Sequence, residues 1–97
     1  MNQNIPKPPT RLKKSGKSFW TKAHASFVLD DVQSEVLLRA AICLDRADAA
    51  GVILQKEGLT TINRFGSVVQ HPMVSVEQQS ISLFRHLVRQ LDIMEEE

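Results

Sequence analysis

Cysteine is almost missing from this chain. Cys43 is the only one, so no intrachain disulfide can form, and a reducing compartment is expected. Tyrosine is absent, and the aromatics amount to four Phe and one Trp. With Leu, Val, Ala, Gln, Arg and Glu prominent, that composition favours helices over a β-sandwich. No apolar run approaches the ~18–20 residues needed to cross a bilayer. The basic start is not followed by the apolar stretch of a secretory signal. No membrane association is therefore expected. At 97 residues the chain suffices for one small domain with a modest core, to which partner contacts would add useful stability.

Acidic residues are missing from one part of the chain. Residues 1–24 carry Lys7, Arg11, Lys13, Lys14, Lys17 and Lys22 and no Asp or Glu, while the remainder is net acidic. The overall charge of +1 thus hides a basic arm on a mildly acidic body. Such an arm suggests a polyanion contact, and a solubilising tail is the equal alternative. Pro6, Pro8 and Pro9 stand among polar neighbours in residues 1–12. That segment is expected to be flexible, leaving residues 13–97 as a single helical domain.

The expected architecture is mainly α: three helices, one of them long and central, with a short β-hairpin before the last. Phe19, Trp20, Ala23 and Phe27 recur at helical spacing and predict a first helix over about Ser15–Val28. Asp30 and Asp31 suit the cap of a second helix running to about Glu57, with Gly58 as a left-handed C-terminal cap. Leu59–Ile62 and Ser67–Gln70 lean toward strand around Asn63-Arg64-Phe65-Gly66, with Gly66 in the left-handed position of a hairpin loop. The hairpin is expected to pack on the helices or on a neighbour. Ser75 and Gln78 form a capping-box pattern for a third helix, whose stripe is Ile81, Phe84, Leu87, Val88, Leu91 and Met94. An acidic tail, Glu95–Glu97, follows.

Helix 2 carries two apolar rows. One is Val36, Ala40, Cys43, Ala47, Ala50 and Leu54; the other is Leu38, Ile42, Ala49 and Ile53. A helix apolar on much of its circumference needs cover on several sides, and two short helices can hardly supply it. Self-association is therefore expected, with Leu38, Ile42, Ala49, Ile53 and Phe65 at the interface. Gly51, among Ala47, Ala49 and Ala50, is compatible with a close helix–helix approach or with a merely tolerated weak spot.

Nothing in the sequence points to catalysis. Ser15-Gly16-Lys17-Ser18 resembles the end of a phosphate-binding loop, but Arg11 stands where the first glycine belongs and a proline-rich arm stands where a strand belongs. His24, His71 and His86 lack partners at metal-ligand spacing. Cys43, on an apolar row without a neighbouring base, reads as a small core residue. No cofactor and no enzymatic activity are expected. Arg85 and Arg89 lie one turn apart on the polar face of helix 3. They suit phosphate, a carboxylate of another subunit, or plain solvent exposure.

Spread over most of the chain are PKPPTRL (Pro6–Leu12), the Phe19-Trp20 pair, LDRADAA (Leu44–Ala50), EGLTTINRFGSVVQHP (Glu57–Pro72) and FRHLVRQLDI (Phe84–Ile93). In that order and spacing they resemble a large family of bacteriophage terminase small subunits. The resemblance implies a non-catalytic, ring-forming protein of the host bacterial cytoplasm. Such a protein recognises viral double-stranded DNA for genome packaging and virion assembly, and it regulates a separate large subunit that carries the ATPase and nuclease. DNA contact would then fall to Lys7, Arg11, Lys13, Lys14, Lys17, Lys22, Arg85 and Arg89. The helix-turn-helix of some other small terminases is not evident here. The competing readings are a small homo-oligomeric helical adaptor for proteins and a DNA-binding regulator unrelated to packaging.

Overall fold

A computed structural model describes residues 6–91. The order of elements is α1 (Lys14–Ser26), α2 (Asp31–Glu57), β1 (Thr60–Ile62), β2 (Val68–Gln70) and α3 (Pro72–Leu91). The mainly helical class, the long central helix and the hairpin before the last helix are as the sequence predicts. The expected end of the last helix near Met94 and the acidic tail lie outside the described residues.

At 27 residues, α2 is about 40 Å long, and everything else is arranged along it. Its start follows the sequence logic. The Asp30 carboxylate accepts from Gln33 N–H at 2.7 Å, and the Gln33 side chain accepts from Asp30 N–H at 3.0 Å. This reciprocal pair satisfies two of the free donors at the helix start. At the other end Gly58 has φ 88° and ψ 174°. That is not the left-handed helical geometry expected of it. It is a mirror-extended conformation that only glycine occupies without strain, and it sends the chain into β1.

Helices α1 and α3 both run antiparallel to α2, but they cover different lengths of it. Helix α3 follows α2 from its C-terminal end back to about Leu37: His71 meets Glu57, Glu77 reaches Gly51, and Leu91 joins Leu37 and Ala41 in the core. Helix α1 begins beside Asp45 and Asp48 and covers only the N-terminal half. The principal core therefore sits at that end, built from Leu12, Trp20, Ala23, Leu37, Ala41 and Leu91. The other half of α2 has α3 alone, and Ala49 and Val52 there stay exposed. The molecule is accordingly long and thin, 60 × 28 × 19 Å, with a radius of gyration of 16.6 Å. A compact chain of this size would have about 13 Å.

Of the two apolar rows on α2, Ala40, Cys43, Ala47, Ala50 and Leu54 are buried. Leu38 and Ile42 are half-buried against the core, so the chain itself takes up part of the surface expected to meet a neighbour. Cys43 is buried, and burial pushes its thiol up, against a smaller opposing pull from Arg46. It is a protonated packing residue.

Several local expectations need correction. Helix α1 stops at Ser26, and Phe27 is extended and 41% exposed. The chain must turn there to meet the α2 cap, which removes Phe27 from the stripe. On α3 the expected stripe holds at Val88 and Leu91, which are buried, but its first position is taken by Ser80, while Ile81 faces out. Ser80 lies level with the alanine-rich stretch of α2, where small groups on both sides let the helices close. The i,i+4 pair Glu35–Arg39 does not form an ion pair; among the described residues His71–Glu57 is the only one.

Helix α3 starts at Pro72, three residues before the expected capping box of Ser75 and Gln78. Proline is well suited to the first helical position, where no N–H is needed. The cap is His71: its Nδ1 accepts from Met73 N–H at 3.1 Å and its carbonyl accepts from Val74 N–H at 3.0 Å. Its Nε2 lies 2.8 Å from Glu57 Oε1, and its backbone N–H donates to Leu59 O at 2.8 Å. With Nδ1 accepting, Nε2 carries the proton and donates to the carboxylate. One buried side chain thus joins the end of α2, the hairpin and the start of α3. Replacing His71 by Ala removes both the cap and this link, and should lower stability by about 2 kcal/mol. Hydrogen exchange should show the amides of residues 59–71 opening well before those of the α1–α2 core; uniform loss of protection would contradict the localised role.

The hairpin pairs Thr60 with Gln70, Thr61 with Val69 and Ile62 with Val68. Asn63 organises its loop: Oδ1 accepts from Phe65 N–H and Ser67 N–H at 2.9 and 3.0 Å, and Gly66, at φ 84°, donates to Asn63 O. All six strand residues are exposed. The hairpin does not lie on the helices of its own chain.

Candidate nucleic-acid interface

The N-terminus of α1 is built in an unusual way. Its cap residue, Lys13, offers no side-chain acceptor, and α1 has no acid in its first turn. The acceptor comes from α2. The Asp45 carboxylate takes the N–H groups of Lys13 and Gly16, each at 2.7 Å, and Ser15 Oγ donates to Asp48. A carboxylate there satisfies free donors and complements the helix dipole. Gly16 is glycine for space: a Cβ would come within 2.4 Å of Asp45 Oδ2 and 2.9 Å of Ala41 O. The likeness of Ser15-Gly16-Lys17-Ser18 to a phosphate loop therefore has a structural explanation. The helix start does hold an anion, and that anion is the side chain of Asp45.

This tertiary cap fixes α1 against α2 and decides which way its lysines face. Gly16, Trp20 and Ala23 are buried on the inner side. Lys14 and Lys17, one turn apart, point away from it, and Lys22 is likewise exposed. The preceding segment continues the basic surface. Lys7 and Arg11 are exposed, but Leu12 between arm and helix is 1% exposed and part of the core. The Trp20 indole donates to Pro6 O at 3.1 Å. Leu12, expected in the flexible arm, is thus an anchor, and Pro6–Leu12 lies along α1. Residues 1–5 lie outside the described residues.

Arg85 and Arg89 are exposed on α3. Their neighbour Phe84 packs edge-on against Phe19 of α1, ring centroids 5.1 Å apart. They therefore belong to the same end of the molecule as α1. Among the described residues none of Lys7, Arg11, Lys13, Lys14, Lys17, Lys22, Arg85 and Arg89 is paired with a carboxylate.

His24 lies over Trp20 with ring centroids 4.6 Å apart. Its Nε2 is buried without a partner, and burial pushes its pKa below the ordinary value. Among the described residues no group of three or more His, Cys, Asp or Glu gathers as a metal site, and no helix is long and apolar enough to cross a membrane.

Of the five expected interface residues, Phe65 and Ala49 are exposed, whereas Leu38, Ile42 and Ile53 are half-buried. Sequence reasoning missed Asp45 and Asp48. Nothing in their spacing distinguishes a carboxylate that caps another helix from one in solvent. It also missed the two-sided role of His71.

Compared with known protein families, with curated proteins and with solved structures, the chain matches none of them.

Proposed function

We propose that this protein is a non-catalytic, oligomeric DNA-binding subunit of the bacteriophage terminase small-subunit kind. It recognises viral double-stranded DNA in the host bacterial cytoplasm and regulates a separate large subunit that carries the ATPase and nuclease. The observation that carries the DNA reading is the exposed basic surface of the arm and α1. Five cations, from Lys7 to Lys17, follow in a stretch of eleven residues with no acid among them, and the described structure pairs none with a carboxylate. Exposed cations on a fixed helix and on the segment leading into it are suited to phosphates, where binding gains from counterion release. The terminase part of the reading rests on the resemblance in the sequence.

One chain offers few phosphate contacts. Several copies on one assembly combine modest contacts into avidity, and a ring is the closed form of head-to-tail association. The half of α2 that α1 does not reach and the bare hairpin leave surface for such contacts. Two activities are measured on the parent at physiological salt: binding to duplex DNA, and the effect on the ATPase rate of a cognate terminase large subunit. Binding together with a changed ATPase rate is the expected result. DNA binding without any effect on the large subunit would favour a regulator unrelated to packaging, and no DNA binding would favour a protein adaptor.

A further inference from the structure

The apolar surface left bare is concentrated at the two ends of α2. At the corner between α1 and α2 stand Phe27, Val28, which is fully exposed, and Val32. Around them Asp30, Asp31 and Glu35 are all exposed, and residues 25–36 contain no basic side chain. At the far end the hairpin shows Leu59, Ile62, Val68 and Phe65, the last 78% exposed. Arg64 is the only Lys, Arg, Asp or Glu between residues 58 and 76. Its guanidinium lies 5.0 Å from the centroid of the Phe65 ring, on a loop that the Asn63 side chain holds in shape.

Neither patch is covered by the described residues of its own chain. A two-stranded ribbon with no covered face is marginal in water, and clustered exposed apolar side chains mark contact surfaces. An aromatic beside an arginine, with few other charges, is the composition of an interface centre. The two patches lie about 40 Å apart along α2, so one chain cannot bring its hairpin to its own corner. A second copy can. Corner against corner would oppose three carboxylates to three, and hairpin against hairpin would oppose Arg64 to Arg64, both repulsive arrangements. Hairpin against corner joins apolar to apolar and guanidinium to carboxylate. Near the patches, Glu57 is tied to His71, and Arg39 stands one turn beyond Glu35.

We propose that the hairpin of one copy docks on the α1–α2 corner of the next, with Phe65 covering the bare valines and Arg64 facing Asp31 and Glu35. The proposal rests on the oligomeric reading above and gives it a direction. The contact uses two different surfaces, so it propagates head to tail and ends only when a ring closes.

The experiment uses two variants of the full chain, Phe65→Glu and Val32→Glu. Both sites are exposed, so the helical circular dichroism should equal that of the parent. Each variant alone should be a monomer at concentrations where the parent is assembled. Mixed in equal amounts they should form a heterodimer and nothing larger, because one retains an intact corner and the other an intact hairpin. Arg64→Glu should raise the concentration needed for assembly by roughly tenfold, and adding Glu35→Arg to the same chain should restore it. If the parent assembles and either single variant keeps its mass, or if the mixture stays monomeric, this docking pair is wrong and the oligomeric reading stands. A parent monomeric at all accessible concentrations removes both.

Discussion

Gly16→Ala should lower stability by about 2 kcal/mol, although alanine is worth about 1 kcal/mol more than glycine inside a helix. The sign is reversed by packing. The new methyl would meet the Asp45 carboxylate at 2.4 Å and the Ala41 carbonyl at 2.9 Å. The first is held in place by two hydrogen bonds, and the second is backbone, so α1 must move off α2. Overpacking of this kind typically costs about 1–3 kcal/mol. Asp45→Ala should cost a similar amount, about 2–3 kcal/mol, because the part-buried Gly16 N–H loses a charged acceptor and α1 loses its cap. In a chain of this length either change should lower Tm by roughly 10 °C. The two effects should not add, since removing the carboxylate also removes half of the clash. Thermal unfolding of the two single variants and the double variant measures this. A Gly16→Ala protein more stable than the parent would show that α1 does not approach α2 as described.

Replacing Lys7, Arg11, Lys13, Lys14 and Lys17 together by Gln should cut affinity for duplex DNA at least ~100-fold at moderate salt. The reduction should be alike for every sequence, because phosphate contacts carry no base information. The more specific measurement is the salt dependence. Removing one cation from a phosphate should reduce the slope of log K against log salt by about 0.9, so the five together reduce it by as much as ~4.5. All five side chains are exposed and unpaired among the described residues, so the fold should be unaffected. A slope unchanged from the parent would move the DNA-binding surface to Arg85 and Arg89, at the same end of the molecule on α3.

The half-buried residues of α2 serve the fold as well as any interface. Ile42 would be an obvious place for a charge intended to break an oligomer. It packs against the core of its own chain, however, so a charge there would damage folding and assembly together. Phe65 and Val32 separate the two, because both are largely exposed.

The local features are legible in the sequence wherever a few neighbouring residues decide the outcome. The α2 cap at Asp30 with Gln33, the positive φ of Gly58 and Gly66, the hairpin loop around Asn63, and the helical periodicities all depend on backbone donors and steric limits within a turn or two. The buried row from Ala40 to Leu54 follows from spacing alone. So does the outward placement of Lys14 and Lys17 once the inner face of α1 is known.

Features that depend on residues remote in sequence emerge only when the helices are packed. The cap of α1 comes from Asp45, 29 residues beyond Gly16, and no local pattern marks such a donor–acceptor pair. Helix α3 starts at Pro72 instead of Ser75 because the His71 imidazole, held by Glu57 from α2, supplies the acceptor expected of Ser75. Leu12 is core because α1 and Leu91 close over it, which outweighs the prolines and charges around it. The bare hairpin follows from length: α1 is 13 residues and α2 is 27, so α1 stops short of the far end of α2, where α3 alone lies alongside among the described residues. Local hydrogen-bond and steric rules act over a single turn and can be read from the chain. Which surfaces meet, and which are left for another copy, depends on how helices of unequal length pack together.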